Sequence, residues 1–205
     1  ALDLSNKSNL LQLYCQLNSI TSLDLSDCID LGTINCNANN LTTLDVTVPT
    51  LLNQVICDNN NITSLTLGTQ ATFWKLTCGN NLLTDLDVSA CPAIQDLRCS
   101  YNDDLVTLNV ANGNNSNFTF FLASDNASLT CIKVDDAAWS TSNWASQIDA
   151  GASFSEDCFA GIEENTMQLE LYPNPVQETL TIKVDSEVEN VNIYSIDGTF
   201  VRSTK

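Results

Sequence analysis

Apolar residues recur along this chain in one fixed pattern. Leu10, Leu13 and Cys15 are followed by Asn18, and the same spacing returns through Cys36, Cys57, Cys78 and Cys99, each 21 residues after the last. Three residues past each cysteine stands an asparagine: Asn18, Asn39, Asn60, Asn81 and Asn102. Two residues before each stands an aliphatic: Leu13, Ile34, Val55, Leu76 and Leu97. A second motif, seen in Asn40-Leu41-Thr42-Thr43-Leu44-Asp45-Val46, alternates with period two and predicts a short strand on an opposite wall. A sixth copy, Phe121 to Asn126, arrives 24 residues on with Ala123 in the cysteine position, which places a bulge in the loop from Asn112 to Asn117. So short a period leaves little room for helices.

A strict period is the mark of a solenoid, because one turn cannot bury its apolar face alone and like positions must stack on themselves. A small, readily buried cysteine suits such a column. An inward asparagine can satisfy backbone groups at a bend that no regular ladder reaches. The unit L-x-x-L-x-C-x-x-N resembles the leucine-rich repeat, with cysteine at the third apolar position. The resemblance implies an all-β-dominated solenoid with a parallel sheet and few or no helices.

The ends carry their own information. Leu2-Asp3-Leu4-Ser5 matches Leu23-Asp24-Leu25-Ser26, so the chain opens halfway through a turn, and a capping turn or signal peptide is expected before Ala1. The rhythm stops near residue 136. Residues 137–160, with Trp139, Trp144 and Phe154, resemble the C-terminal cap of leucine-rich repeat arrays in secreted Bacteroidetes proteins. A bridge between Cys131 and Cys158 fits that cap. The five columnar cysteines point the same way and are expected as free thiols, while Cys28 and Cys91, three turns apart, stand too far from each other to bridge. No C-x-x-C pair supports a thiolate metal site, and no metal or other cofactor is expected.

Composition changes after the cap: all seven glutamates lie at or beyond Glu156, and asparagine thins out. Residues 1–136 are therefore read as solenoid, 137–160 as cap, 161–168 as an acidic linker and 169–205 as a separate small β-domain. Tyr172-Pro173-Asn174-Pro175, then Leu180-Thr181-Ile182, then Val191 to Val201 around an Asp197-Gly198 turn, resemble the C-terminal sorting domain of cargo for the type IX secretion system of Bacteroidetes. In that family the domain continues for another strand pair, so a partial β-sandwich is expected here. The resemblance implies the type IX machinery as a partner through residues 169–205, and a secreted or outer-surface location.

Charge and missing residue types narrow the function. With 25 acidic and 7 basic side chains, net charge −18, nucleic acid is a poor partner. Without histidine there is no Ser-His-Asp triad, no Cys-His pair and no histidine-held metal. No apolar run approaches the ~18 residues of a membrane span. Nothing resembles a phosphate loop or nucleophile elbow, so the chain is read as a non-enzyme, with a polysaccharide-active enzyme the least supported reading.

Side chains flanking the inward residues of the main strands should face outward on a concave surface, the usual binding face of such arrays. Tyr14, Gln16, Asn35, Asn37, Gln54, Asp58, Lys75, Thr77, Asp96, Arg98, Tyr101 and Phe120 are the candidates there, for a protein or glycan ligand. Asp24, Asp45 and Asp87 share one position on the other wall, where calcium or simple strand capping would account for them. Thr21, Thr42, Thr63 and Thr84 also recur, but their neighbours vary too much for a flat ice-binding row. These features point to an adhesin; the alternative is a spacer array within a larger surface protein.

Overall fold

In the computed structural model, residues 2–158, 170–172, 181–183, 191–194 and 200–204 are described. The chain divides into two units, Ala1–Cys158 and Phe159–Lys205.

In the first unit the 21-residue period becomes sheet register. Six three-residue strands, Gln12–Tyr14, Thr33–Asn35, Gln54–Ile56, Lys75–Thr77, Asp96–Arg98 and Phe120–Leu122, form one parallel sheet in chain order. Leu13 pairs with Ile34, Ile34 with Val55, Val55 with Leu76, Leu76 with Leu97, and Leu97 with Phe121. The second motif forms the opposite wall. There Thr43–Asp45 pairs with Ser64–Thr66, and a four-stranded parallel sheet runs Asp85–Asp87, Thr107–Asn109, Cys131–Lys133, Ser153–Ser155. Between the walls lie Leu31, Leu52, Phe73 and Ile94, fully buried. Each such side chain contributes about 1.5 to 3 kcal/mol on leaving water.

The cysteines form a buried column, all free: Cys15, Cys36, Cys57, Cys78 and Cys99, with Ala123 next in line. Burial pushes the Cys36 and Cys99 thiols up to about 12 and those of Cys57 and Cys78 well above their ordinary value. Cys28 and Cys91 are also free and buried.

The asparagines complete the turn. Asn60 Nδ2 donates to the carbonyls of Cys57 and Asp58 in its own turn and of Cys36 in the preceding one, while its Oδ1 accepts from the Leu41 N–H at 3.0 Å. Asn39, Asn81 and Asn102 repeat the arrangement. One residue before each asparagine the backbone enters the left-handed region: Leu17, Ala38, Asn59, Asn80, Tyr101 and Asp125 have φ between 53° and 61°. That conformation costs a non-glycine residue about 1 to 2 kcal/mol, and the side-chain hydrogen bonds hold it in place.

The three extra residues of the sixth turn lie in the predicted loop. Asn115 is buried there, its Nδ2 donating to the Val110 carbonyl and its Oδ1 accepting from the Asp135 N–H at 2.8 Å. The cap contains one short helix, Ala137–Trp144, started by Asp136, whose carboxylate accepts the Trp139 N–H at 2.8 Å. Trp144 stacks on Phe121 at 4.3 Å between centroids and touches Phe118, Trp139 and Phe154, so an aromatic plug closes the core. Cys131 and Cys158 are disulfide-bonded, as read from the sequence.

In the second unit Glu170–Tyr172 pairs antiparallel with Thr181–Lys183, and Val191–Tyr194 with Phe200–Thr204. Tyr172 ends the first of these strands. Pro173, Asn174, Pro175 and Gly198 of the sorting motif, and the linker 161–168, lie outside the described residues. Among the described residues no helix is long and apolar enough to cross a membrane.

Candidate binding surface

The outward face of the six-stranded sheet is built by alternation: when Leu76 points in, Lys75 and Thr77 point out. Past each strand the tight turn throws further side chains to the same side. Together these line a hollow of about 570 Å³. Its floor and rim are Asn37, Asp58, Asn59, Gly79, Asn80, Arg98, Ser100, Tyr101 and Leu122.

Asp58 anchors the floor. Its carboxylate accepts the Thr77 hydroxyl at 2.5 Å and the Gly79 N–H at 2.8 Å, both from the next turn. Gly79 is required by space: a Cβ there would stand 2.9 Å from the Ser100 carbonyl and 3.2 Å from Asp58 Oδ1. Along the rim, Asn59 Nδ2 donates to Asn37 Oδ1 at 3.1 Å and Asn80 Nδ2 to Asn59 Oδ1 at 2.7 Å. Tyr101 stands in the same left-handed position one turn on, its side chain well exposed.

The two cations of this face share one carboxylate. Asp96, buried, receives Lys75 Nζ at 3.2 Å, Arg98 Nε at 2.9 Å and Arg98 Nη2 at 3.2 Å. The Arg98 guanidinium lies 3.9 Å over the Phe120 ring. Beyond Phe120 a second hollow, about 300 Å³, opens between the sheet and the cap, lined by Phe118, Thr119, Phe120, Phe121, Trp139, Asn143, Trp144 and Gln147.

Of the residues read from the sequence, the hollow gathers Asn37, Asp58, Arg98 and Tyr101, with Thr77 buried beneath Asp58. Phe120 belongs to the second hollow. Tyr14 and Gln16 are exposed at the first turn, away from either. Asn35 caps its own turn by accepting the Asn37 N–H, and Gln54 and Lys75 are half-buried on the sheet face outside the hollow. Asp96 is buried and not presented to a ligand; it is the clamp that holds Lys75 and Arg98. Sequence reasoning passed over Asn59, Gly79 and Asn80. The usable signal was their place one or two residues beyond the repeating cysteine, where the turn comes round to the sheet face.

On the other wall the aspartate row works locally. Asp24, Asp45 and Asp87 accept the backbone N–H of Ser26, Thr47 and Ser89, two residues on. The Ser26 hydroxyl and N–H hold the Asp24 carboxyl below its ordinary range. Among the described residues no group of three or more aspartates, glutamates or cysteines converges as a metal site.

Comparison with known proteins agrees with this architecture. Residues 170–205 match the family model described as the secretion system C-terminal sorting domain. The solved structure "Functional domain of InlJ from Listeria monocytogenes includes a cysteine ladder" is similar with a TM-score of 0.53 and 30% identity, over 63% of this chain and 33% of that one. The chain thus spans about one third of that relative's length. No curated protein matches significantly. A leucine-rich repeat solenoid of 21-residue turns is followed by a type IX sorting domain, which implies a secreted or outer-surface location.

Proposed function

We propose that this protein is a non-catalytic surface adhesin, which holds a ligand on the outward face of its six-stranded sheet, in the hollow around Asp58, Asn80 and Tyr101. The observation that carries the reading is the hollow itself: a polar recess within the size range of ordinary ligand sites, with an exposed aromatic on its rim and side chains from five successive turns lining it. Nothing about its floor resembles a catalytic pair, since both Asp58 oxygens are occupied by fixed donors. Full-length protein should bind saturably to at least one member of a panel of matrix proteins, bacterial surfaces and polysaccharides. An Asn59→Gly, Asn80→Gly variant, which keeps the left-handed backbone and removes the rim amides, should lose that binding. Equal binding by both proteins would place the site away from this hollow, and no binding by the parent to any member of the panel would leave the array a spacer.

Export rests on the second unit. Removing residues 159–205 in a type IX-competent Bacteroidetes host should leave the solenoid in the periplasm; surface delivery of the truncated chain would count against the sorting role.

A further inference from the structure

The chemistry of the hollow narrows the ligand class, and this step rests on the binding role proposed above. Charge speaks first. Asp58 stands inside the hollow, and Arg98, the one cation in its lining, is already ion-paired with buried Asp96, which it shares with Lys75, on a chain of net charge −18. An anionic ligand would meet the Asp58 carboxylate and would have to draw Arg98 away from Asp96. A cation would have to share Asp58 with the Thr77 hydroxyl and the Gly79 N–H, each of which already holds one of its oxygens.

Hydrogen-bonding capacity speaks next. An asparagine amide offers two N–H donors and two acceptor lone pairs. In the chain Asn80 to Asn59 to Asn37, each link uses one donor and one lone pair. Unused donor and acceptor capacity therefore alternates along the rim, once per turn, at about 4.8 Å. Hydroxyl groups, which donate and accept together, complement such a column, whereas a carboxylate or an ammonium matches only half of it. The exposed Tyr101 adds a hydroxyl of the same dual kind, while the Ser100 hydroxyl is buried against that of Ser124.

A peptide fits less well. Extended peptides gain affinity by pairing main-chain groups with a free strand edge, and this hollow lies on the face of a sheet whose backbone groups are used in the ladder: Cys57 N–H donates to the Thr77 carbonyl, Cys78 to Arg98 and Asn80 to Ser100. Only side chains are available. Tyr101 supplies the remaining element, an exposed ring on a fixed backbone, against which the C–H face of a sugar ring packs.

We propose that the hollow is a glycan site for a neutral polyhydroxylated chain, which lies along the Asn37–Asn59–Asn80 amide column with one sugar ring stacked on Tyr101. The chain runs along the solenoid axis, so successive rings meet successive turns.

The test uses full-length protein and calorimetric titration with three neutral polysaccharides (laminarin, dextran and yeast mannan), with alginate as the anionic probe and gelatin as the protein probe. The expected result is saturable binding to a neutral polysaccharide, weakened about tenfold by Tyr101→Asn, roughly what one aromatic stack supplies. Asparagine already occupies this left-handed position at Asn59 and Asn80, so the variant keeps the turn. Leu17→Asn, in the same row but outside the hollow, should bind as the parent does. Tyr101-dependent binding to gelatin or alginate, with none to the neutral polymers, overturns the neutral-glycan assignment and leaves the binding role standing. No Tyr101-dependent binding to any probe overturns both.

Discussion

The side-chain amide of Asn60 reaches 24 residues back, to the carbonyl oxygen of Cys36, at 3.1 Å. The same nitrogen serves Cys57 in its own turn, so a single side chain fastens two turns together beside the thiol column. Asn60→Ala strands buried carbonyls and the Leu41 N–H, at about 1 to 3 kcal/mol for each unsatisfied group. Urea unfolding should show a loss of at least about 2 kcal/mol, and Asn60→Asp, which has no donor to offer, should fare no better. Exposed Asn61→Ala should unfold like the parent.

Alkali should unfold the solenoid sharply. An unfolded thiol ionises from about pH 8.5, whereas burial holds Cys91 protonated to about 11 and Cys36 and Cys99 to about 12, with Cys57 and Cys78 also raised well above normal. Between those limits the native state binds more protons. The stabilisation is fully present below about pH 8.5 and is lost as pH climbs toward the folded values, by about 1.4 kcal/mol per pH unit for each thiol. Five such thiols together exceed the stability of an ordinary domain within about two pH units. Circular dichroism should therefore show cooperative unfolding near pH 10, and Ellman's reagent at pH 8 should find these five thiols unreactive until denaturant is added.

The aromatic plug depends on its disulfide. Separated by 27 residues, Cys131 and Cys158 close a loop worth about 3 to 4 kcal/mol in the chain-entropy picture. A reducing agent should lower the melting temperature of the parent and leave that of a Cys131→Ala, Cys158→Ala variant unchanged.

Gly79 ties folding to the hollow. Gly79→Ala pushes a methyl toward the Ser100 carbonyl, a backbone atom that cannot swing away, and should cost about 1 to 3 kcal/mol while reducing ligand affinity. Gly151→Ala, with no atom within 4 Å of the added carbon, should leave the urea midpoint in place.

The period was legible because stacking forces like residues onto like: the Leu13–Ile34–Val55–Leu76–Leu97 column is at once a sequence interval and a sheet register. The Cys131–Cys158 bridge and the loop before Phe118 were legible for a related reason, as interruptions of a strict rhythm. Asp96 was not. Alternation places it outward, and only cross-strand pairing with Lys75 and a neighbour two residues on, Arg98, turns it into a buried clamp. The cap helix was likewise hidden, being eight residues long and started by one capping aspartate rather than by any sustained apolar stripe. Asn59 and Asn80 escaped notice because their position varies from turn to turn, and variation breaks the very signal that revealed the rest.

That variation follows from the left-handed turn. Leucine, alanine, asparagine, tyrosine and aspartate all occupy it, with φ within a few degrees of one another. The asparagine one residue on enforces the bend whatever its neighbour is, so the occupant is relieved of any part in holding the fold. Each coil thereby presents one residue on a rigid rail that can be exchanged for any type that tolerates the left-handed backbone. A new surface chemistry can be assembled on this scaffold one coil at a time, by point substitution, with the packed interior left untouched.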